Sequence, residues 1–493
     1  MRSPDRDAVT LTDRDLCREK AYDISSLIEF LRQSLPMLVS DQEAIYQNVM
    51  RLVESGNGGL CFIDARGGTG KTFLINVLLA EVRRHGGIAV AMASSGVAAT
   101  LLAGGRTAHS TLKLPLNVHT ADFPVCNIAK SSGQAEVLKQ AKLIVWDECT
   151  MAHKKSFEAL NRTLQDLRED SRLMGGAVVV LGGDYRQTLP VVPRGTPADE
   201  LNACMKSTRL WDDVQTMELK TNMRVRLGQG DIGRFAEQLL LIGEGRVAYE
   251  DESGLITFPS DFCTLVKSCE ELIERVFPDI HFNYKSHKWL CARVILAPRN
   301  DGVKRINDVI LAAMPGESVT YLSVDTVTDI EQAVYYPTEF LNSLEISRTP
   351  PHRLEVKVGS PVILLRNLDP PRLCNGTRLA VIRLLPNVIE ATIITGNAAG
   401  ENVFVPRIPL IHSDAAVACE FKRLQFPLRI AFAMSINKSQ GQSLNVAGVD
   451  LSSSCFSHGQ LYVACSRVGS PDHLFVYAPM GKTHNVVYRQ ALQ

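Results

Sequence analysis

The chain has few of the features that mark several protein classes. Its 12 cysteines are scattered and form no C-x-x-C pair, so the sequence indicates neither a zinc ribbon nor a disulfide-stapled domain. No apolar run reaches the roughly 20 residues that a membrane-spanning helix needs. Aromatic residues make up only 6% of the chain, which argues against a surface built mainly for base stacking.

An excess of charge of one sign is also missing, because 53 basic residues balance 53 acidic ones. A nucleic-acid site would therefore have to be a local groove rather than a positive field over the whole protein. The first residues, Met1–Lys20, mix aspartates with arginines, which fits neither a secretory leader nor a mitochondrial presequence. At 493 residues the chain exceeds one ordinary core, and about two to four domains are expected.

The strongest motif lies in residues 60–80. Leu60–Ile63 predicts a buried strand, a loop with three glycines follows, and an apolar-rich stretch predicts a helix that ends near Gly86. A strand, a glycine loop and a helix that opens with Gly-Lys-Thr form the phosphate-binding loop (P-loop), in which backbone N–H groups and the helix N-terminus face nucleotide phosphates. The predicted phosphate-binding residues are Gly67, Gly68, Thr69, Gly70, Lys71 and Thr72. Thr72 is also a predicted ligand of Mg²⁺.

The P-loop pattern is broken at one position, because it requires glycine where this chain has Ala65. A Cβ there would strain the loop if the turn needs a positive φ. The alternative interpretation of the segment is a glycine-rich turn in an unrelated fold.

Further apolar runs predict more strands of the same sheet. They are Gly87–Ala93, Leu143–Trp146, Ala177–Leu181 and Val214–Leu219. Five buried strands that alternate with helices predict an α/β fold with a parallel sheet covered on both faces. Its ligand is expected at the carboxyl ends of the strands.

Acidic and amide side chains follow two of these strands. Asp147 is expected to hold Mg²⁺ through water, and Glu148 to polarise the attacking water. Gln187 could reach the γ-phosphate or that same water. An acidic pair after a strand is also common at solvent-exposed turns, so the P-loop upstream is what favours the catalytic interpretation.

Two polar stretches flank the P-loop unit. Ser40 and Glu43 predict a capping box at the start of a helix, and Gln42 within it could read adenine or be a solvated helical glutamine. Ser95 and His109 lie in small polar segments after the second strand. They suit contact with nucleic-acid phosphates, although loop residues without a function are the default.

A second α/β pattern begins near residue 225. Its predicted elements are helices at Ile232–Ile242, Thr264–Val276 and Val303–Ala313, and strands at Ala292–Ala297, Leu428–Met434 and Leu474–Tyr477. Residues 354–424 instead contain short β-rich runs separated by Pro-Pro, Asn-Gly and Gly-Asn turns. They predict a small β-barrel inserted into the second unit.

Ten strings across about residues 38–480 carry a family resemblance. They are GGTGKT (67–72), ASSGVAA (93–99), GRTAHS (105–110), WDECTM (146–151), GGDYRQTLPV (182–191), LKTNMR (219–224), LAPRN (296–300), LCNGTRL (373–379), MSINKSQGQSL (434–444) and FSHGQLYVACSRV (456–468). Together they resemble superfamily-one DNA helicases of the petite-integration-frequency (PIF) type, in particular the helicase domains of rolling-circle (Helitron) transposons. Asn437 and Leu379 depart from many relatives but agree with that transposon group.

The resemblance implies two RecA-like P-loop domains with parallel sheets and a small SH3-like β-barrel insert. The implied division is an N-terminal extension at 1–37, RecA-like domain 1 at 38–224 with a small insert near 107–140, RecA-like domain 2 at 225–353 and 425–485, and the SH3-like insert at 354–424.

The resemblance also implies roles for single residues. Gln42 would contact adenine, Gln187 would sense the γ-phosphate, and Arg224 and Arg467 would act as arginine fingers from the first and second domain. The residues expected near the DNA backbone are Ser95, His109, Lys438 and Ser439.

The implied function is an ATP-dependent DNA helicase that uses Mg²⁺ and moves 5′ to 3′ on single-stranded and forked DNA, as a monomer without a membrane partner. Implied roles are DNA repair, recombination, replication, telomere maintenance or transposition, and the nucleus is the expected location rather than the mitochondrion. The modules of an intact transposon are missing, so a fragment or domesticated remnant is expected. Two alternatives stay open, a catalytically decayed DNA-binding remnant and an RNA helicase.

Overall fold

A computed structural model describes residues 15–493. The ranges left out of the description are 116–117, 120, 193–194, 224–231, 249–253, 330–334, 347–348, 371, 397 and 413–419. The chain divides into two compact units. Unit 1 comprises Met1–Phe262, Cys455–Ser470 and His484–Gln493, and unit 2 comprises Cys263–Ser454 and Pro471–Thr483.

Helices and strands are numbered in chain order. The strands are β1 (Gly59–Ala65), β2 (Ile88–Ala93), β3 (Arg106–Thr107), β4 (Ala141–Asp147), β5 (Val178–Gly183), β6 (Gln215–Leu219), β7 (Leu255–Thr257), β8 (Thr264–Val266), β9 (Arg293–Ala297), β10 (Val319–Leu322), β11 (Val324–Val327), β12 (Arg353–Val356), β13 (Pro361–Leu364), β14 (Arg378–Leu384), β15 (Val388–Ile393), β16 (Asn402–Pro406), β17 (Ile408–His412), β18 (Phe421–Gln425), β19 (Leu428–Ile430), β20 (Ala433–Ser435), β21 (Val446–Asp450), β22 (Leu474–Tyr477) and β23 (Lys482–His484). The α-helices are α1 (Ile24–Ser34), α2 (Ser40–Ser55), α3 (Lys71–Arg84), α4 (Gly96–Thr100), α5 (Ala108–Leu112), α6 (Gly133–Gln140), α7 (Lys154–Arg168), α8 (Pro197–Ala203), α9 (Ile232–Gly243), α10 (Cys269–Val276), α11 (Ile280–Asn283), α12 (His287–Cys291), α13 (Asn300–Ala313), α14 (Thr338–Ser343), α15 (Gln460–Cys465) and α16 (Arg489–Leu492).

Unit 1 contains a six-stranded sheet in the order β3-β2-β4-β5-β1-β6, and every neighbouring pair is parallel. The five predicted strands are confirmed, and the short β3 adds one edge. Side chains alternate between two cores: Leu60 and Phe62 of β1 join one buried cluster, while Cys61 and Ile63 join the other. The sheet is therefore covered on both faces, as its continuous apolar strands predict.

The start of α2 differs from the prediction. Ser40 is the first helical residue rather than the N-cap, and the cap residue is Val39. Its backbone N–H donates to Oε1 of Gln42 at 3.2 Å. The neighbouring Asp41 accepts the backbone N–H groups of Lys220 and Thr221, each at 2.8 Å. The predicted pair Ser40 and Glu43 was wrong because tertiary contacts at the end of β6 recruit Asp41.

The segment before α2 is attached to the P-loop unit through charged side chains. Glu19 is buried and pairs with Nη2 of Arg106 in β3 at 2.5 Å. The guanidinium of Arg83 lies 4.1 Å from the ring centroid of Tyr22 and donates to the Ala89 carbonyl at 2.8 Å. This segment therefore packs against β3 and the C-terminal end of α3.

Unit 2 contains a second parallel sheet, in the order β20-β9-β21-β22-β8. Two predicted elements were wrong here. The predicted helix Thr264–Val276 is strand β8 followed by α10, because Ser268 caps the helix by accepting the Glu271 N–H at 3.2 Å. The predicted strand Leu428–Met434 is β19 and β20, which belong to different sheets.

The remainder of unit 2 is antiparallel. Its sheets are β16-β15-β14-β13-β19, β11-β18-β17 and β10-β12. The β-rich character predicted for residues 354–424 is confirmed, but β10, β11 and β19 join these sheets from outside that range. An SH3-like closure of these strands stays a prediction.

The boundaries of the two units differ from those of the predicted domains. Among the described residues, 232–248, 254–262, 455–470 and 484–485 were predicted in the second domain but are assigned to unit 1. Segment 455–470 is held there by the hydroxyl of Tyr462, which accepts the N–H of Gly67 in the P-loop and donates to Asp184 after β5. In the part of the chain that the structure describes, no helix has the length and apolarity to cross a bilayer.

Candidate nucleotide-binding site

The loop between β1 and α3 has the backbone that phosphate binding requires. Gly68 and Gly70 adopt φ values of 91° and 79°, a region open to glycine at little steric cost. Gly70 caps α3, and Lys71 and Thr72 open the helix. Ala65 is the last residue of β1, is buried, and pairs with Leu219 of β6. The strain expected at Ala65 is therefore not found, because its Cβ lies in the core rather than in the turn.

Gln42 is hydrogen-bonded to the backbone of the P-loop. It is 1% exposed, and its Nε2 donates to the Thr69 carbonyl at 2.9 Å. A Cβ added to Gly70 would lie 2.6 Å from this nitrogen, which is a second reason for glycine there. From the other side, the backbone N–H of Met223 donates to the Gly68 carbonyl at 2.9 Å. The loop is thus held in shape by its surroundings, and the contact of Gln42 with adenine stays a prediction.

A charged triad lies at the start of α3 and the end of β4. Nζ of Lys71 is 2.5 Å from Oδ1 of Asp147 and 3.0 Å from Oε1 of Glu148. Both carboxylates are buried, and the lysine side chain is only 10% exposed. Burial by itself would lower the pKa of Lys71, but the charges of Asp147 and Glu148 outweigh it and raise the pKa above its usual range. Lys71 therefore stays a full positive charge at the phosphate loop.

Glu148 has an unusual backbone and a free oxygen. Its φ of 49° is left-handed, a conformation that costs energy for residues other than glycine and often marks functional sites. The backbone N–H of Glu148 donates to Oδ1 of Asp147 at 2.8 Å. Its Oε2 is buried and accepts no hydrogen bond from the residues described. This oxygen is available to orient a water molecule.

The oxygen donors at this site fit Mg²⁺ better than a transition metal. Within the described ranges, no group of three or more His, Cys, Asp or Glu residues could hold a metal by itself. Mg²⁺ needs no such cage, because it usually binds one or two carboxylates together with phosphate oxygens and waters. Asp147 and the hydroxyl of Thr72 are the residues that would hold it. Gly182 keeps the space beside Asp147 open, since an added Cβ would lie 3.0 Å from Oδ1 of Asp147.

Gln187 ends a buried turn that follows β5. It is 4% exposed, and its backbone N–H donates to the Asp184 carbonyl at 3.0 Å. Oδ1 of Asp184 accepts the backbone N–H of Arg186 at 3.1 Å and its Nη1 at 3.2 Å. The turn is therefore rigidly hydrogen-bonded, and the contact of Gln187 with the γ-phosphate stays a prediction.

Arg467 lies two residues beyond α15 and is 5% exposed. Its Nε donates to the Val463 carbonyl and its Nη2 to Oγ of Ser466, each at 2.8 Å. Ser466 is next to the P-loop, because its Cβ is 3.8 Å from the position of a Cβ on Gly67. The guanidinium is thus oriented within unit 1.

Sequence reasoning did not assign roles to two buried residues near these segments. The hydroxyl of Tyr462 accepts the Gly67 N–H at 3.2 Å and donates to Oδ2 of Asp184 at 3.0 Å. Asp184 lies in the string GGDYRQ and Tyr462 in FSHGQLYVACSRV. Nothing in the sequence indicates that the two residues are in contact.

The predicted nucleic-acid residues lie in both units. Oγ of Ser95 caps α4 by accepting the Ala98 N–H at 3.1 Å, and His109 is exposed on α5. Lys438 and Ser439 belong to a short 3₁₀ turn of unit 2, where Oγ of Ser439 donates to the Ile436 carbonyl at 2.7 Å. DNA contact by these four residues stays a prediction. The remaining predicted site residue, Arg224, lies outside the described residues.

Comparisons with known proteins show which family the chain resembles. A family model described as PIF1-like helicase matches residues 37–253, and a model of the 2B domain of the DNA helicase Pif1 matches residues 339–384. The chain is therefore similar to PIF1-like helicases over these two ranges. The predicted PIF-type resemblance is confirmed, whereas the Helitron connection stays a prediction.

Curated relatives of this family are similar over most of the chain. The ATP-dependent DNA helicase Pif1 of Psychrobacter sp. is 24% identical over 460 residues, which cover 84% of this chain and 65% of that protein. The ATP-dependent DNA helicase PIF1 of Danio rerio is 28% identical over 443 residues, which cover 87% of this chain and 60% of that protein. The chain thus spans less than two thirds of the length of these two relatives.

Solved structures of PIF1-like helicases share the fold. The Candida albicans Pif1 helicase aligns with a TM-score of 0.65 at 23% identity, covering 92% of this chain and 97% of that one. Bacteroides Pif1 in complex with ADP-AlF3 and single-stranded DNA aligns with a TM-score of 0.67 at 21% identity, covering 91% and 94%. These likenesses and the two parallel sheets confirm the predicted α/β fold class with RecA-like P-loop domains.

Proposed function

We propose that this PIF1-like helicase hydrolyses ATP to move along single-stranded DNA and separate duplex strands. The observation that carries the proposal is the triad of Lys71, Asp147 and Glu148 next to a P-loop in which only glycines adopt positive φ. The relatives' names support it, since they are ATP-dependent DNA helicases. Further support comes from the related Bacteroides protein, which was solved with ADP-AlF3 and single-stranded DNA.

The triad supplies what phosphoryl transfer needs, which is charge neutralisation and an oriented water rather than covalent chemistry. ATP phosphates would draw the Lys71 ammonium away from Glu148. The released carboxylate would then orient and polarise the attacking water. Mg²⁺, held by Asp147 and Thr72, would neutralise charge on the phosphate oxygens.

Further features of the proposal come from the family resemblance. We propose 5′ to 3′ movement, action at forked DNA, and contacts mainly to the DNA backbone with weak sequence preference. One related structure concerns unwinding of forked duplex DNA by two coordinating Pif1 helicases, so the predicted monomer needs a direct test. The nuclear location and the roles in repair, recombination, replication, telomere maintenance or transposition stay predictions.

ATP turnover with and without nucleic acid tests the proposal. We expect single-stranded DNA to raise turnover at least about tenfold, and single-stranded RNA of the same length to raise it less, because hydrolysis is proposed to be coupled to DNA. A phosphate-release assay on the purified chain measures this. Absence of turnover with either polymer would support the decayed remnant, and stronger stimulation by RNA would support the RNA helicase.

Changing Glu148 to Gln is expected to lower DNA-stimulated kcat about 10²-fold while ATP binding is kept. The amide retains size and a hydrogen bond to Lys71, but it cannot accept a proton from water, and general bases contribute about 10²–10⁴-fold. Glu169→Gln is a matched control, because Glu169 is also left-handed at φ 53° but exposed. Equal kcat in both variants would remove Glu148 from the chemistry.

A further inference from the structure

The hydroxyl of Tyr462 lies where two parts of the candidate nucleotide site meet. The side chain is 2% exposed. Its oxygen accepts the N–H of Gly67 in the P-loop and its proton is donated to the carboxylate of Asp184. A buried hydroxyl that both accepts and donates in this way leaves little freedom to either partner.

Asp184, which accepts the Tyr462 proton, also holds the turn that contains Gln187. Asp184 is 0% exposed and binds the backbone and guanidinium of Arg186 with its other oxygen. The backbone N–H of Gln187 donates to the Asp184 carbonyl. A shift of Asp184 would therefore move Gln187 with it.

Tyr462 itself lies in α15, the helix that leads to Arg467. His458, just before α15, is a second anchor, because its Nε2 donates to the Tyr185 carbonyl at 2.8 Å. Its Nδ1 accepts the Tyr488 backbone N–H at 2.8 Å, which leaves the proton on Nε2. The α15 segment is thus joined to the turn 184–187 at two points and to the P-loop at one.

We propose that Tyr462 is a positioning residue for ATP hydrolysis, which keeps the P-loop, the Gln187 turn and the Arg467 segment in one geometry. The inference rests on the proposed function and deepens it. Tyr462 acts through Gly67 and Asp184 rather than on the nucleotide. Removing its hydroxyl leaves a partly buried N–H and a buried carboxylate without this partner, and the three segments can then shift relative to one another.

The variant Tyr462→Phe tests the role, because it keeps the ring and removes only the hydroxyl. We expect DNA-stimulated kcat to fall at least about tenfold with KM for ATP within about threefold, since small misplacements of catalytic groups lower rates strongly. Tyr185→Phe is the matched control. Tyr185 is also buried, packs on Phe62 and Trp211, and has a hydroxyl with no hydrogen bond to the described residues.

The measurements are steady-state ATP turnover over a range of ATP concentrations, and thermal unfolding of wild type and both variants. A loss of kcat in Tyr462→Phe alone, at a temperature where all three proteins are folded, supports the positioning role. Unchanged kcat would overturn it. If the KM for ATP also fell, the hydroxyl would instead be competing with ATP for the N–H of Gly67. Wild-type protein without DNA-stimulated turnover would instead overturn the proposed function.

Discussion

Lys71→Ala is expected to lower DNA-stimulated ATP turnover more than about 10³-fold. The substitution removes the cation that is predicted to face the phosphates, and the loss of one preorganised electrostatic donor alone costs about 10²–10³-fold. It also leaves Asp147 and Glu148 buried with no cation between them. Breaking such a buried pair typically lowers the free energy of unfolding by about 3–5 kcal/mol.

Phosphate release gives the turnover, and denaturant unfolding gives the stability. Lys142→Ala is the control, because Lys142 is exposed on β4, the strand that ends in Asp147. We expect its turnover to stay within about twofold of wild type. Turnover of Lys71→Ala within tenfold of wild type, in a folded protein, would contradict the assignment of the P-loop.

Arg467→Ala is expected to lower ATP turnover about 10³–10⁵-fold, the range that arginine fingers contribute in related nucleotidases. The guanidinium is preoriented by the Val463 carbonyl and Ser466, whose Cβ approaches Gly67. Affinity for single-stranded DNA should change little, because the family resemblance implies a role for Arg467 at the ATP phosphates and not on the DNA. Turnover and fluorescence anisotropy of labelled DNA measure the two properties.

Two variants make this test specific. Arg467→Lys keeps the charge without the planar fork, so it should recover only part of the turnover. Arg209→Ala removes an exposed arginine of unit 1 and should behave as wild type. Near-normal turnover of Arg467→Ala would exclude a finger role, whereas a parallel loss of DNA affinity would point to a wider structural defect.

Local patterns predicted the first sheet well. Its strands are apolar on both faces because both are covered, so β1, β2, β4 and β5 were recognisable as short continuous runs. The spacing of Gly68, Gly70 and Lys71 predicted the loop, since the two glycines act through their own backbone and Lys71 follows directly at the start of the helix.

Predictions were wrong where a distant contact changed a local preference. Ser40 has the side chain of an N-cap, but Asp41 bonds to the end of β6 and Gln42 to the P-loop. The helix begins one residue earlier than the capping pattern predicts. Leu428–Met434 is apolar throughout, yet sheet pairing splits it into two strands.

The sequence by itself determined the resemblance to PIF-type helicases, the parallel α/β fold class and the chemical groups of the site, because these depend on periodicity and on motifs within short stretches. Only the tertiary structure decided which groups meet. Lys71 pairs with Asp147 76 positions away, and Gly67 binds Tyr462 395 positions away. Such contacts result from packing of whole elements, and no local pattern encodes which buried partner will satisfy a given charge or N–H group.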